Sequence, residues 1–227
     1  MVDYIYKIFQ KFRNIIYNDD MEKACKNCIY GTIKSEKMVF QDKSIIFLEG
    51  QDINRIYTIE EGYIKMSKFL DNGDEYIIGV LGPGDYIALL ALLQGKEHYI
   101  ASASCLSKVT LRAMSPKDIK QAYQANPKFK DLCLHCAITR SNLFHRQMLI
   151  SANTDIKDKI LLILKNLSYK FGAYSNNQLI VRLPFSKTVL ARIINIRRET
   201  LSRHLSAMQD DEVLFVEKNE YRLNYVI

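Results

Sequence analysis

The sequence predicts an α+β chain that runs from a β-rich half through one long helix to a helical unit closed by a hairpin. Three observations predict it. Over residues 38–114, short β-branched and aromatic runs alternate with glycine-bearing turns, the pattern of many short strands in a small sandwich or barrel. From Asn126-Pro127 to about Ala152, neither glycine nor a further proline interrupts a helical pattern. Residues 186–205 read as two short helices meeting at a tight turn, and two apolar runs follow them.

The elements follow in order. Ile5, Ile8, Phe9, Phe12 and Ile15 or Ile16 stand at helical spacing over residues 4–17, which predicts a short amphipathic helix. Cys25-Lys26-Asn27-Cys28 comes next in a polar stretch. Residues 44–48, 55–59, 63–69 and 76–81 read as strands. Asp71-Asn72-Gly73-Asp74 predicts a hairpin with a primed turn, because Asn and Gly tolerate positive φ. Ser115-Pro116 and Asn126-Pro127 each pair a capping residue with a first-turn proline. The second pair opens the long helix, about 40 Å at roughly 1.5 Å per residue. No small sheet buries that length, and an apolar stripe that one protomer leaves uncovered is met by a symmetry mate, so a homodimer is expected. Thr154 or Asp155 starts a further helix that ends near Phe171 at Gly172. A strand over 179–183 and a terminal hairpin over 213–217 and 221–225 complete the chain. The expected divisions are 1–34 (helix and CxxC extension), 35–115 (β-rich), 116–152 (helices, including the dimerisation helix) and 153–227 (C-terminal).

Of the 227 residues, 48% are hydrophobic and 25% charged, the balance of a soluble globular protein. No apolar run approaches the ~20 residues that span a bilayer. Lys7, Lys11 and Arg13 interrupt the apolar N-terminus as no signal peptide would allow. The expectation is a cytoplasmic protein without a membrane partner. In that compartment five cysteines point to metal, cluster or redox chemistry rather than a disulfide framework. Neither a phosphate-cradling glycine loop, an HExxH pair nor a nucleophile elbow is present, and four scattered histidines build no site, so no enzyme is expected.

The net charge of +7 favours a polyanionic partner. The excess is concentrated: Lys187, Arg192, Arg197, Arg198 and Arg203 face a single acid, Glu199. In SKTVLARIINIRRETLSRHL, Val189, Leu190 and Ile193 supply one helix's inner face, and Ile196, Leu201 and Leu205 the other's. Asn195 falls between them, where the chain must turn through a left-handed conformation. Ala191 is small where the helices approach. Arg198, Glu199, Ser202 and Arg203 then share the second helix's outer face. Arg203 can donate twice to guanine, and Glu199 can accept from cytosine. A carboxylate among so many arginines suits base reading, not phosphate binding alone.

The string Arg198-Glu199-Thr200-Leu201-Ser202-Arg203 resembles the recognition helix of the CRP/FNR family of transcription regulators. Ile46-Phe47-Leu48-Glu49-Gly50, Ile56-Tyr57-Thr58-Ile59, Gly62-Tyr63-Ile64-Lys65 and Gly84-Asp85-Tyr86-Ile87 resemble the family's β-roll. The likeness covers nearly everything after residue 35. It implies a cyclic-nucleotide-binding-like β-roll, a long dimerisation α-helix and a C-terminal winged helix-turn-helix. It also implies a double-stranded DNA operator of pseudo-palindromic half-sites, and RNA polymerase as the partner of an activator. Glu199 and Arg203 match the pair that reads a TGA core. Ser202 matches the FNR branch, whose half-site is TTGA, and Arg198 the CRP branch. Ser186, Lys187, Arg197 and Thr200 complete the DNA-contact candidates. Arg197 departs from the family, which has a Ser or Thr helix cap there.

The same resemblance frames the sensor. Where the CRP branch holds cyclic AMP with Gly-Glu and Arg-Ser, this chain has Ala88-Leu89 and Tyr99-Ile100. No cation remains for a buried phosphate, which argues against cyclic AMP. An iron–sulfur cluster needs four thiolates. Cys25 and Cys28 supply two, the third position holds Lys34, and Cys105 lies near a fourth position that aligns with Thr110. Cys133 and Cys136, one turn apart on the long helix, either fill the helix seam or pair across a symmetric dimer. Haem would draw its axial ligand from His98, His135, His145, Met66, Met148 or a thiolate, with His135 and His145 near one helix face. By elimination haem or another apolar ligand stands ahead of a cluster, a profile shared by the family's nitrosative-stress branch, the regulators of hybrid-cluster-protein genes. The residues leave the cofactor and any metal open. The alternative is a constitutive regulator whose sensor fold serves only dimerisation.

Overall fold

The computed structural model describes residues 33–175 and 178–224. The helix expected over 4–17 and the Cys25–Cys28 pair lie outside the described residues. Two compact units divide between Ser141 and Asn142, inside the long helix.

The first unit holds strands β1 (Ser35–Phe40), β2 (Ile45–Phe47), β3 (Ile56–Glu61), β4 (Ile64–Phe69), β5 (Glu75–Leu81), β6 (Tyr86–Ile87), β7 (Ser102–Cys105) and β8 (Val109–Met114). They form two antiparallel four-stranded sheets, ordered β1-β8-β3-β6 and β2-β7-β4-β5. Ile56, Ile59, Ile64, Leu81, Leu111 and Met114 fill the core between them. The β3–β4 turn needs its glycine: at Gly62, with φ +84°, a Cβ would collide with the Lys108 carbonyl oxygen.

The β4–β5 hairpin occurs where expected, but its turn is not of the primed type. The Leu70 amide donates to the Asp74 carbonyl at 2.9 Å and the Gly73 amide to the Leu70 carbonyl at 2.8 Å. Three residues therefore form the loop, and only the last, Gly73 at φ +84°, is left-handed. Asn72 acts through its side chain instead, accepting from the Asp74 amide at 3.0 Å. Helix α1 (Leu89–Leu93), entered through Ala88 at φ +65°, is an element the pattern does not predict. Its Leu-Leu-Ala-Leu-Leu sequence has no period by which to tell helix from strand.

Helix α2 (Pro116–Ala125) is capped by Ser115, whose hydroxyl accepts from the Asp118 amide. Helix α3 (Pro127–Ala152) is the long helix, and Asn126 caps it by accepting from the Lys128 amide at 3.0 Å. Phe129, Leu132 and Cys133 bury its first turns in the core of the first unit, and Arg140 donates to the Tyr86 carbonyl at 3.4 Å. Another stripe along it is exposed. Leu134 is 62% exposed, Ile138 52% and Met148 70%. With Ser141 and His145 they follow alternating four- and three-residue steps, the spacing of a coiled-coil seam.

The second unit contains the rest of α3, helix α4 (Ile156–Phe171), strands β9 (Gly172–Ser175) and β10 (Gln178–Arg182), helices α5 (Lys187–Ile193) and α6 (Arg198–Asp210), and strands β11 (Leu214–Glu217) and β12 (Glu220–Asn224). The strands form one sheet ordered β11-β12-β10-β9. Asp155 caps α4 by accepting from the Asp158 amide at 3.1 Å. Gly172 ends α4 as expected and also begins β9, a strand the pattern does not predict. A Cβ there would lie 2.5 Å from the Ser168 carbonyl oxygen, so close approach of the backbone selects the glycine.

Tyr221 on β12 is fully buried, and among the described residues its hydroxyl finds no hydrogen-bond partner. Desolvation raises its pKa to about 12. Tyr221→Phe removes only that unmet hydroxyl, and chemical denaturation is expected to show stability raised by about 1 kcal/mol. A drop in stability would mean that the hydroxyl is satisfied in solution. Among the described residues, no helix is long and apolar enough to cross a membrane.

Candidate nucleic-acid interface

Helices α5 and α6 meet through four residues, Ile194 to Arg197. Asn195 has φ +56°, the left-handed turn its position predicts. The Asn195 amide donates to the Arg192 carbonyl at 3.2 Å, and the Ile196 amide to the Ala191 carbonyl at 3.0 Å. These are the two bonds of a Schellman motif, which fixes where the second helix begins. The same motif ends α6: Glu212 has φ +55°, and the Val213 amide donates to the Met208 carbonyl at 2.9 Å. No glycine marks that second turn in the sequence.

Leu190, Ala191 and Ile193 of α5 and Leu201, Leu205 and Met208 of α6 are buried. Their burial turns Arg198, Glu199, Ser202 and Arg203 outward together, all exposed, with Arg197 and Ser186 also exposed and Lys187 and Thr200 half-buried. Among the described residues no ion pair joins Glu199 to Arg203, so the carboxylate and the guanidinium both remain available to base edges.

Side-chain caps are present at some helix starts and absent at others, α1 among those without one. Helices α2, α3 and α4 have side-chain caps. Ser186 before α5 and Arg197 before α6 make no side-chain cap bond. The first amides of both helices stay open beside basic side chains, an arrangement suited to phosphate oxygens. Arg197 stands where a hydroxyl would otherwise occupy those amides.

The pattern gives no sign of Gln147. Its side-chain amide donates to the Ile193 carbonyl at 2.9 Å. Next to it, Arg146 lies 4.6 Å over the Tyr169 ring and donates to Asn166 at 3.4 Å.

The sensor candidates are dispersed. Tyr99 is buried with its ring stacked on Phe47 at 3.6 Å between centroids, and its hydroxyl donates to the Arg55 carbonyl at 2.8 Å. Leu89 is buried in the same core. Burial raises the pKa of both Tyr57 and Tyr99 above the usual phenol value. A cleft of about 500 Å³ opens over Phe47, Tyr57 and Tyr99, edged by Gly50, Gln51, Asp52 and Asn54. Cys105 is buried, and desolvation, with the Asp42 charge, pushes its thiol up to about 11. His98 is exposed and pairs with Asp52 at 2.9 Å. Met66 packs against the core, while Met148 is exposed.

Two expectations need correction. Cys133 is buried in the core of the first unit and Cys136 packs against that core, so neither lies on the exposed stripe of Leu134 and Ile138. The helix directs residues 133 and 136 one way and 134 and 138 another. His135 and His145 do not share a face: His135 is half-buried, 3.5 Å from the Thr139 hydroxyl, and His145 is exposed. Ten residues at about 100° each leave them roughly 80° apart. Among the described residues no group of three His, Cys, Asp or Glu side chains is placed to hold a metal ion.

Two parts of the chain match known protein families. Residues 37–126 match the family described as cyclic nucleotide-binding domain, and residues 159–224 the Crp-like helix-turn-helix domain. The global nitrogen regulator of Nostoc sp. is 24% identical over 184 residues, 80% of this chain and 82% of that protein. The anaerobic regulatory protein of Haemophilus influenzae is 23% identical over 193 residues, 85% of this chain and 74% of that protein. Among solved structures, FixK2 from Bradyrhizobium japonicum superposes with a TM-score of 0.73 at 16% identity, covering 85% of this chain and 94% of that one.

Proposed function

Because the chain belongs to the CRP/FNR family of DNA-binding transcription regulators, we propose that it acts in the cytoplasm as a signal-gated homodimer on pseudo-palindromic operators with TTGA half-sites. The observation that carries this reading is the outward grouping of Glu199, Ser202 and Arg203 on one face of α6. Glu199 accepts from cytosine, Arg203 donates to guanine O6 and N7, and Ser202 reads the neighbouring pair. Arg198, Arg197, Lys187 and the open amides of α5 and α6 hold the backbone phosphates. The exposed Leu134, Ile138 and Met148 stripe supplies the dimer seam. If the regulator activates, RNA polymerase is its further partner.

The signal is redox, nitric oxide or haem-borne, not cyclic AMP. Leu89 and Tyr99, packed into the core, offer a nucleotide phosphate no cation. The described thiols and imidazoles do not converge into a cluster site, and Cys25 and Cys28 lie outside the described residues. The cleft over Tyr99 is lined by Asp52 and by no cationic side chain among the described residues, which opposes an anionic ligand there. The same packing of Tyr99 on Phe47 also favours a second reading, in which the sensor fold only dimerises.

The deciding experiment is a gel shift, run with and without air, on a duplex with two inverted TTGA half-sites about one helical turn apart. Binding at least about 1,000-fold tighter than to scrambled DNA is expected. Equal binding to both would overturn the half-site assignment. A shift that ignores air, nitric oxide and haem would select the constitutive reading.

A further inference from the structure

Helix α5 is short, and its last four carbonyls must each find a donor. The Leu190 carbonyl takes the Ile194 amide at 3.3 Å, Ala191 takes Ile196 at 3.0 Å, and Arg192 takes Asn195 at 3.2 Å. Among the described residues, no backbone amide of the turn donates to the Ile193 carbonyl. It is met instead by the side chain of Gln147 at 2.9 Å, on a residue that is itself half-buried. Gln147 belongs to the long helix, in the part that lies in the same compact unit as α5 and α6. The last bond closing the helix-turn-helix therefore comes from outside it.

We propose that Gln147 is a specificity-positioning residue: by holding the Ile193 carbonyl, it sets the angle at which α6 presents Glu199 and Arg203, and so ties base discrimination to the long helix. The inference rests on the DNA-reading function proposed above. Its physical basis is the place of the bond. The left-handed Asn195 follows close behind Ile193, and Glu199 stands in the first turn of the helix beyond. A small rotation at the turn is carried along the whole of α6. Arg146, over Tyr169 and near Asn166, fixes the adjacent turn of α3 to α4, so Gln147 projects from a held segment.

The role predicts a particular defect. Gln147→Met keeps the length and neutrality of the side chain but removes the donor. The preference for the TTGA palindrome over scrambled DNA should fall about tenfold, the equivalent of one hydrogen bond. Affinity for scrambled DNA and the salt dependence of binding should not change, because both count phosphates. Gln147→Lys restores a donor of similar reach and should recover the preference ratio, whereas Gln147→Glu should not. In the free protein, exchange of the hydrogen-bonded amides of Asn195 and Ile196 should quicken in the Met and Glu variants and return towards wild type with Lys.

A Met variant with wild-type preference and wild-type exchange overturns the proposal, as does a Lys variant no better than Glu. If Met melts early, the Lys and Glu pair makes the same comparison. If wild type itself does not prefer the palindrome, the half-site assignment fails, and exchange at the turn still decides the role of Gln147.

Discussion

Arg203→Ala is expected to weaken operator binding by about 5- to 150-fold and to abolish the preference for guanine at one position of each half-site. The magnitude follows from the environment of the side chain. Arg203 is exposed on α6, and among the described residues no carboxylate neutralises it. Its planar fork can therefore give both donors to guanine O6 and N7 without first breaking an ion pair. Alanine keeps the helix, because Leu201, Leu205 and Met208 hold the opposite face, so weaker binding reports on reading, not folding. Lys187→Ala makes the contrast. Its ammonium is assigned to a phosphate, so its removal should weaken all sequences alike and reduce the salt slope by about one. A binding-site selection in which Arg203→Ala still enriches guanine at the assigned position would refute the register.

The double substitution Leu134→Glu with Ile138→Glu should leave the chain monomeric and lower operator affinity by at least about 100-fold. In the single chain these side chains already face solvent, so glutamates cost the sensor core little. Across a symmetric helix pair they would bring four like charges into one seam, where desolvation and repulsion oppose association. A monomer reaches one half-site only, and forgoes the second half-site that a dimer engages without another binding event. Sedimentation velocity gives the first outcome and a gel shift the second. An unchanged dimer would place the interface elsewhere, and an unfolded first unit would show that the stripe is part of its core.

Much of this architecture is legible in the sequence where a residue has one dominant local consequence. Ser115, Asn126 and Asp155 cap helices that start where those residues stand, and Asn195 turns left-handed, a conformation asparagine tolerates better than most side chains. The outward grouping of Arg198, Glu199, Ser202 and Arg203 follows from spacing alone. Other features depend on partners distant in sequence. The uneven period around Leu89 hides α1, and β9 becomes a strand only because β10 lies beside it. Glu212 takes a left-handed turn without the glycine that would announce it. Cys133 and Cys136 read as seam residues from the helix alone, and only the β-sheets decide which side of α3 they occupy. Gln147 carries no motif, since its role lies in the unmet carbonyl of a residue 46 positions away.

The missing caps before α5 and α6 bear on how the regulator spends its time off the operator. A side-chain cap is worth about 1 kcal/mol to a helix, so α5 and α6, like α1, forgo stability that α2, α3 and α4 keep. A hydroxyl or carboxylate at Arg197 would firm the free protein and cover the amides assigned above to phosphates. On the DNA contacts proposed above, phosphates would complete those open helix starts, and the operator would then act as a stabilising ligand as well as a target.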